Sequence, residues 1–274
     1  MPEGDTIWRT AARLHELLAG RVVTRFATTA PEVAAAARRH RVVGAAIEAV
    51  EARGKHLLLR FATRPPAALH THMGMSGSWH LYRPGSRWRK GAHLARAVVE
   101  TAEVVAVCFT PRTLRWLGPG LEKELPALAG LGPDVMAPEF DAAAAHRRLR
   151  DRGRPQTPMT IGAALLDQTA LAGIGNVYRA ETLFLCRLDP FTPVAALDDP
   201  TLTRVIDTAR RLMRSNLSTA SRQTTGSRAT PYWVYRRSGR PCRRCATPIQ
   251  MRRHGDPPRS VYLCPTCQPP RGRS

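Results

Sequence analysis

The chain has 274 residues and a mass of 30.2 kDa, too long for one typical domain and comfortable for two with a small third. Hydrophobic residues make up 43% and charged residues 23%, as in a folded soluble protein, and no apolar run nears the roughly 18 residues that a membrane helix needs. Arg and Lys number 42 against 21 acids, a formal charge of +21, which points to a polyanion rather than to a membrane surface, since no basic amphipathic helix stands out.

Met1-Pro2-Glu3-Gly4 opens the chain. With Met1 removed, as a small second residue permits, Pro2 becomes a terminal secondary amine. Such α-amino groups titrate near about 8, against about 10.4 for Lys, so a fraction is nucleophilic at neutral pH. A secondary amine condensing with an aldehyde carbon forms a cationic iminium, which acidifies the neighbouring C–H, and a carboxyl can shuttle the protons. Pro2 is therefore the candidate nucleophile and Glu3 the candidate acid/base. Chance also starts many chains this way, so the rest of the sequence has to support the pair.

Ile7, Ala11, Leu14 and Leu18 recur at helical spacing up to Gly20, which predicts an amphipathic helix capped by Asp5. From Val22 to Thr110 the pattern turns to short β-type segments: Val42-Val43, Ile47–Val50, His56–Phe61, Ser78–Tyr82, Ala97–Val99 and Val104–Phe109. Val33–Ala37 reads as a short surface helix. The expectation is a β-sandwich with a leading helix over 1–130. Gly130-Leu131-Gly132-Pro133 reads as a linker, followed by helices over Phe140–Leu149, Ile161–Leu171, Val177–Cys186 and Leu202–Leu217. These predict a helical domain over 131–225 and a third unit over 226–274. No basic-then-apolar leader is visible, so a cytoplasmic protein is expected.

Cys242, Cys245, Cys264 and Cys267 form C-x2-C-x18-C-x2-C. This spacing fits one structural zinc ion held by four thiolates, with no open position for catalysis. The intervening residues suit a β-hairpin, Thr247–Arg252 out and Ser260–Leu263 back, with its tip at His254–Pro258. Disulfides are disfavoured in a reducing compartment. Cys108 and Cys186 lie in apolar runs and read as buried thiols. Before the finger, Gly173-Ile174-Gly175-Asn176 joins two helical segments. Such a turn can expose backbone amides and an Asn donor to a phosphate, although by itself it is also just a tight connection.

Pro2-Glu3-Gly4, Gly54-Lys55-His56, His72-Met73-Gly74-Met75-Ser76-Gly77, Gly173-Ile174-Gly175-Asn176 and the terminal Cys-Pro-Thr-Cys-Gln occur in one order. Together they resemble the formamidopyrimidine-DNA glycosylase and endonuclease VIII family, and the opening Met-Pro-Glu-Gly-Asp-Thr is similar to its actinobacterial endonuclease VIII branch. The resemblance implies a multidomain α+β fold: an N-terminal β-sandwich, a helix-two-turn-helix domain and a C-terminal β-hairpin zinc finger, with damaged double-stranded DNA in the cleft between them. It implies a monomeric base-excision-repair enzyme that removes oxidised bases and cleaves the abasic site by β,δ-elimination. Pro2 would attack the sugar C1′, and Glu3 would assist base loss and ring opening. Lys55, His72, Asn176 and Arg259 would hold phosphates around a flipped nucleotide, with Lys55 also counted among the catalytic residues and Arg252 and Arg253 as rivals of Arg259. Met75 and Arg112 would fill the void left in the duplex. Leu114 stands where related formamidopyrimidine enzymes carry Phe, which favours oxidised pyrimidines over 8-oxoguanine. No diffusible cofactor is implied beyond the structural zinc. Two rivals remain: a non-catalytic zinc-finger DNA-binding protein on the same fold, and an enzyme using Lys55 as the Schiff-base amine.

Overall fold

The computed structural model describes residues 2–120, 125–156, 158–219, 221–255 and 258–270. Met1, Lys123 and the Asp256-Pro257 part of the expected finger tip lie outside the described residues. The chain divides into two compact units, Met1–Gly130 and Leu131–Ser274. Among the described residues no helix is long and apolar enough to cross a membrane.

In the first unit the apolar stripe of Ile7, Ala11, Leu14 and Leu18 builds helix α1 (Gly4–Leu18). Burying Ile7, Leu14 and Leu18 contributes about 1.5–3 kcal/mol each. The cap is Glu3, not Asp5: Glu3 is extended and its carbonyl accepts from the N–H groups of Thr6 and Ile7, whereas Asp5 is buried in the first turn. Two antiparallel sheets follow. One is ordered β1-β6-β7-β5 (Arg25–Thr28, Ala95–Glu100, Val105–Phe109, Ser78–Tyr82) and the other β2-β3-β4-β8 (Ile47–Arg53, His56–Phe61, Ala67–His72, Thr113–Leu117). One core gathers Leu57, Leu59, Phe61 and Leu69 from the second sheet, Ala97, Val99, Ala106 and Cys108 from the first, and the stripe of α1. Helix α2 (Pro31–Arg39) extends past the expected Val33–Ala37 and is more than a surface element, since Val33, Ala36 and Ala37 are buried.

Three strands escape the sequence reading. Strand β4 reads Ala-Ala-Leu-His-Thr-His, poor in β-formers, yet it lies between β3 and β8 and is buried on both faces. There, burial outweighs intrinsic propensity. Val42-Val43 is no strand: Val42 enters the core and Val43 is exposed in a turn.

 A short helix α3 (Pro126–Ala129) closes the first unit, and the second opens with α4 (Ala142–Asp151), capped by Asp141, whose carboxylate accepts from the Ala144 N–H at 2.8 Å. Helix α5 runs only over Ile161–Ala164 instead of the expected Ile161–Leu171. Side chains take over the backbone groups beyond it: Asp167 accepts from the Thr169 N–H, and Gln168 donates to the carbonyls of Leu166 and Ile174 while accepting from the Gly173 N–H. Such local bonds compete with helix continuation. Helix α6 (Asn176–Leu185) is buried almost all round, and α7 (Asp199–Ser215) lays Leu202, Val205, Ile206 and Ala209 inward behind an Asp198 cap. The hairpin β9 (Gln250–His254) and β10 (Arg259–Leu263) follows. Val177, Ala180 and Phe184 of α6 share one apolar cluster with Val234, Ile249, Cys242 and Cys264, so finger and helix are packed together.

Candidate functional site

In the first unit, strand register brings the expected polar residues to one end of the β2-β3-β4-β8 sheet. His56 opposes both Arg53 and His72, and His72 opposes Thr113, which follows Arg112. Lys55 sits half-buried in the turn between β2 and β3. Helix α1 points its N-terminus the same way. Near its C-terminal end, His15 Nδ1 accepts from the Val50 N–H, and the Gly20 N–H donates to the Ile47 carbonyl. The helix is therefore antiparallel to β2, and its eleven residues back from His15 to Gly4 span about 16 Å, just beyond the roughly 13 Å from Val50 to Gly54. Pro2, half-buried, and Glu3, fully buried, thus lie towards the Lys55 turn.

Two histidines that the sequence reading passed over stand behind Lys55. His56 Nδ1 and His70 Nε2 are 2.9 Å apart with stacked rings, and His72 lies 4.9 Å from His56, ring centre to ring centre. The signal was present as Lys-His and His-x-His, because period-two positions share a face. Burial first, then His70, His72 and Lys55, push His56 down to about 3, so it is neutral at physiological pH. His72 is also lowered, by burial and then by Arg112 and Lys55. Its Nδ1 accepts from the Gly74 N–H at 3.2 Å, which leaves Nε2 as the donor of the neutral ring.

The loop carrying Met75 is shaped by close backbone approach. A Cβ on Gly77 would meet the Met73 carbonyl oxygen at 2.4 Å and Pro111 Cα at 2.9 Å, and Gly74 has φ +63 with the Arg112 side chain against it. The Arg112 N–H donates to the His72 carbonyl at 2.8 Å. Met75 is 71% exposed, the reverse of a core methionine. Leu114, opposite Thr71, packs against the core cluster.

In the second unit, Asn176 is the first residue of α6 after the extended Gly175. Its Oδ1 accepts from Arg179 and its Nδ2 donates to the Ser260 carbonyl at 2.9 Å. Arg179, 1% exposed, also donates to that carbonyl and to Gly162. This buried arginine was another omission of the sequence reading; its place one helical turn after Asn176 was the available signal. Arg259 is exposed next to Ser260 and shares a hairpin face with Arg252, while Arg253 lies on the other face. Arg252 is engaged with Gln250 and Phe191. Glu181 is buried and accepts from Thr224 and from the N–H groups of Trp233, Val234 and Tyr235; burial pushes its carboxyl up against those bonds. It ties α6 to the segment leading into the finger.

The four cysteines converge, with their sulfurs within 4.8 Å of one another. Sγ–Sγ separations are 3.9 Å for Cys242–Cys267, 3.4 Å for Cys245–Cys264 and 3.5 Å for Cys245–Cys267. A tetrahedral ion with bonds of about 2.3 Å sets sulfurs about 3.8 Å apart, so the cluster fits one metal ion. The N–H groups of Arg244 and Cys267 point at Cys242 and Cys264 sulfurs, which suits thiolates.

Residues 1–117 match the family model described as the formamidopyrimidine-DNA glycosylase N-terminal domain, and residues 131–227 match the one described as the formamidopyrimidine-DNA glycosylase H2TH domain. The chain is 40% identical over 271 residues to the probable endonuclease 8 2 of Streptomyces coelicolor, covering 98% of this chain and 94% of that protein. It belongs to the formamidopyrimidine-DNA glycosylase and endonuclease 8 family. A second family member, the DNA-(apurinic or apyrimidinic site) lyase Nei2 of Mycolicibacterium smegmatis, is 38% identical, covering 98% of this chain and 99% of that one. The fold is shared with the Lactococcus lactis Fpg solved in complex with abasic-site DNA, at a TM-score of 0.78 and 22% identity over 98% of this chain and 100% of that one.

Proposed function

We propose that the chain is a bifunctional DNA glycosylase and abasic-site lyase of base excision repair, acting as a cytoplasmic monomer on oxidised bases in duplex DNA. The observation that carries this reading is the convergence of the α1 N-terminus, with its buried Glu3, on the sheet end that holds Lys55, His72 and Arg112. With Met1 removed, the Pro2 nitrogen attacks the sugar C1′, the base leaves with a proton, and the ring oxygen takes a proton from Glu3 as the iminium forms. Loss of a C2′ proton then expels the 3′ phosphate, and a second elimination expels the 5′ phosphate. Lys55 and the neutral Nε2–H of His72 hold the flanking phosphates as a point charge and a dipolar donor. Asn176 offers its remaining amide N–H, and Arg259 its guanidinium, to the backbone.

Met75 and Arg112 fill the space of the flipped nucleotide, and the inward packing of Leu114 leaves no third wedge at that position. This supports a preference for oxidised pyrimidines, to be read by comparing thymine glycol with 8-oxoguanine duplexes. The four-cysteine cluster would hold one structural zinc ion, which supplies folding energy to the finger and no chemistry at the sugar.

Borohydride capture on abasic-site DNA tests the mechanism, with N-terminal mass analysis to establish that Met1 is absent. The expected result is an adduct mapped to the Pro2 nitrogen, which a retained Met1 abolishes and Lys55→Ala retains. An adduct lost only with Lys55→Ala moves the amine to Lys55. No adduct from folded, zinc-loaded protein with a free Pro2 leaves a DNA-binding protein without lyase chemistry.

A further inference from the structure

We propose that the loop over residues 83–93 is a second DNA-gripping surface, which holds the duplex flanking the lesion. The inference rests on the reading of Met75 and Arg112 as void-filling residues. No acidic residue stands between Glu51 and Glu100, whereas seven arginines and two lysines do. Arg83, Arg87 and Arg89 are exposed and make no ion pair among the described residues. Elsewhere on the same sandwich, Arg13, Arg21, Arg25 and Arg60 each face a glutamate. Uncompensated, clustered arginine charge is the electrostatic footprint of a phosphate backbone.

The loop is held in shape. The Ser86 N–H donates to the Arg83 carbonyl, the Arg89 N–H donates to the Tyr82 hydroxyl at 3.0 Å, and Lys90 donates to Ser78 Oγ at 2.9 Å. Ser78, His80 and Tyr82 are linked in turn by hydrogen bonds of 3.1 and 3.0 Å. Trp88 stacks on Tyr82 and meets the edge of Phe109. A surface depression of about 490 Å³ opens along Ser86–Ala92. A loop already fixed loses little entropy when it meets a rigid duplex.

The surface is also continuous with the wedge. The Thr110 N–H donates to the Leu94 carbonyl at the foot of the loop, and Thr110 Oγ1 donates to the Ser76 carbonyl beside Met75. Arg112 follows two residues later. From Ser78 to Tyr82 the strand carries the chain about 13 Å away from the wedge. That equals up to about four base pairs at 3.4 Å each, so Arg83, which follows Tyr82, stands over the flank and not the lesion.

The test is equilibrium binding of the triple variant Arg83→Ala, Arg87→Ala, Arg89→Ala to duplexes with a reduced abasic site. One duplex has ten base pairs on either side and the other, closed by loops at both ends, has two. On the long duplex the variant is expected to bind at least tenfold more weakly at low salt, with the log-log salt slope reduced by about 1.8–2.7, as two to three lost phosphate contacts require. On the short duplex the two proteins are expected to bind alike. An unchanged slope on the long duplex, or an equal loss on both, overturns the proposal. Binding needs no chemistry at Pro2, so failed borohydride capture and failed flank binding are separable results.

Discussion

At the end of the β2-β3-β4-β8 sheet, Lys55, His72 and Arg112 are set by strand register over a continuous apolar core. At the start of α6, Asn176 is set by hydrogen bonds instead, from Arg179 to its oxygen and from its nitrogen to the Ser260 carbonyl of the hairpin that the four cysteines flank in the chain. The first region is stabilised by burial and tolerates reactive groups at its rim. The second joins an apolar cluster of α6 and the finger to polar bonds and to the metal that the four sulfurs would hold, so its shape depends on all three.

The two regions respond most differently to zinc extraction. Removing the ion or introducing Cys264→Ser is expected to unfold the finger while the sandwich stays protected, which amide hydrogen exchange resolves region by region. Loss of protection in β3 and β4 together with the finger would show that the two regions are not independently stabilised. Next in size is Glu3→Gln, expected to lower base release by roughly 10²–10⁴-fold, the usual worth of a positioned acid/base, with DNA affinity little changed. A loss seen in affinity instead would make Glu3 a structural cap only.

Within the second region, Asn176→Ala and Arg259→Ala are expected to differ in kind. A hydrogen bond to a charged group is worth about 1.5–3 kcal/mol, so Asn176→Ala is expected to weaken binding roughly 10- to 100-fold at an unchanged salt slope. Arg259→Ala is expected to lower that slope by about 0.9 for one released counterion. Equal slopes for both variants would mean that Arg259 does not touch phosphate, and Arg252, on the same hairpin face, becomes the residue to test.

Legibility in the sequence followed the same division. The helical stripe of α1 and the alternation of Leu57, Leu59 and Phe61 could be read because burial imposes a period. The four-cysteine spacing was readable because metal geometry imposes one too. Strand β4 was not, since alanine and histidine acquire strand character only from the neighbours on both sides. Nor was the early end of α5, which depends on where the Gln168 carboxamide finds its three backbone partners. Among the site residues, Lys55 and Asn176 carried local signals in their glycine-flanked motifs. Arg179 carried none strong enough, because its function is defined by a carbonyl 81 residues away in the chain.

The smallest expected effect concerns acid. His56, held down to about 3 against an ordinary value of 6.5, takes up a proton more readily in the unfolded chain than in the folded one. Its contribution is therefore present in full above about pH 6.5 and is lost as pH falls from there towards 3. Replacing it with Phe removes that titration while keeping a ring against His70 and His72. His56→Phe is expected to narrow the drop in melting temperature between pH 7 and pH 4.5 relative to the unmodified protein. Parallel curves would mean that the stacked histidines accommodate a proton at no cost to the sheet end.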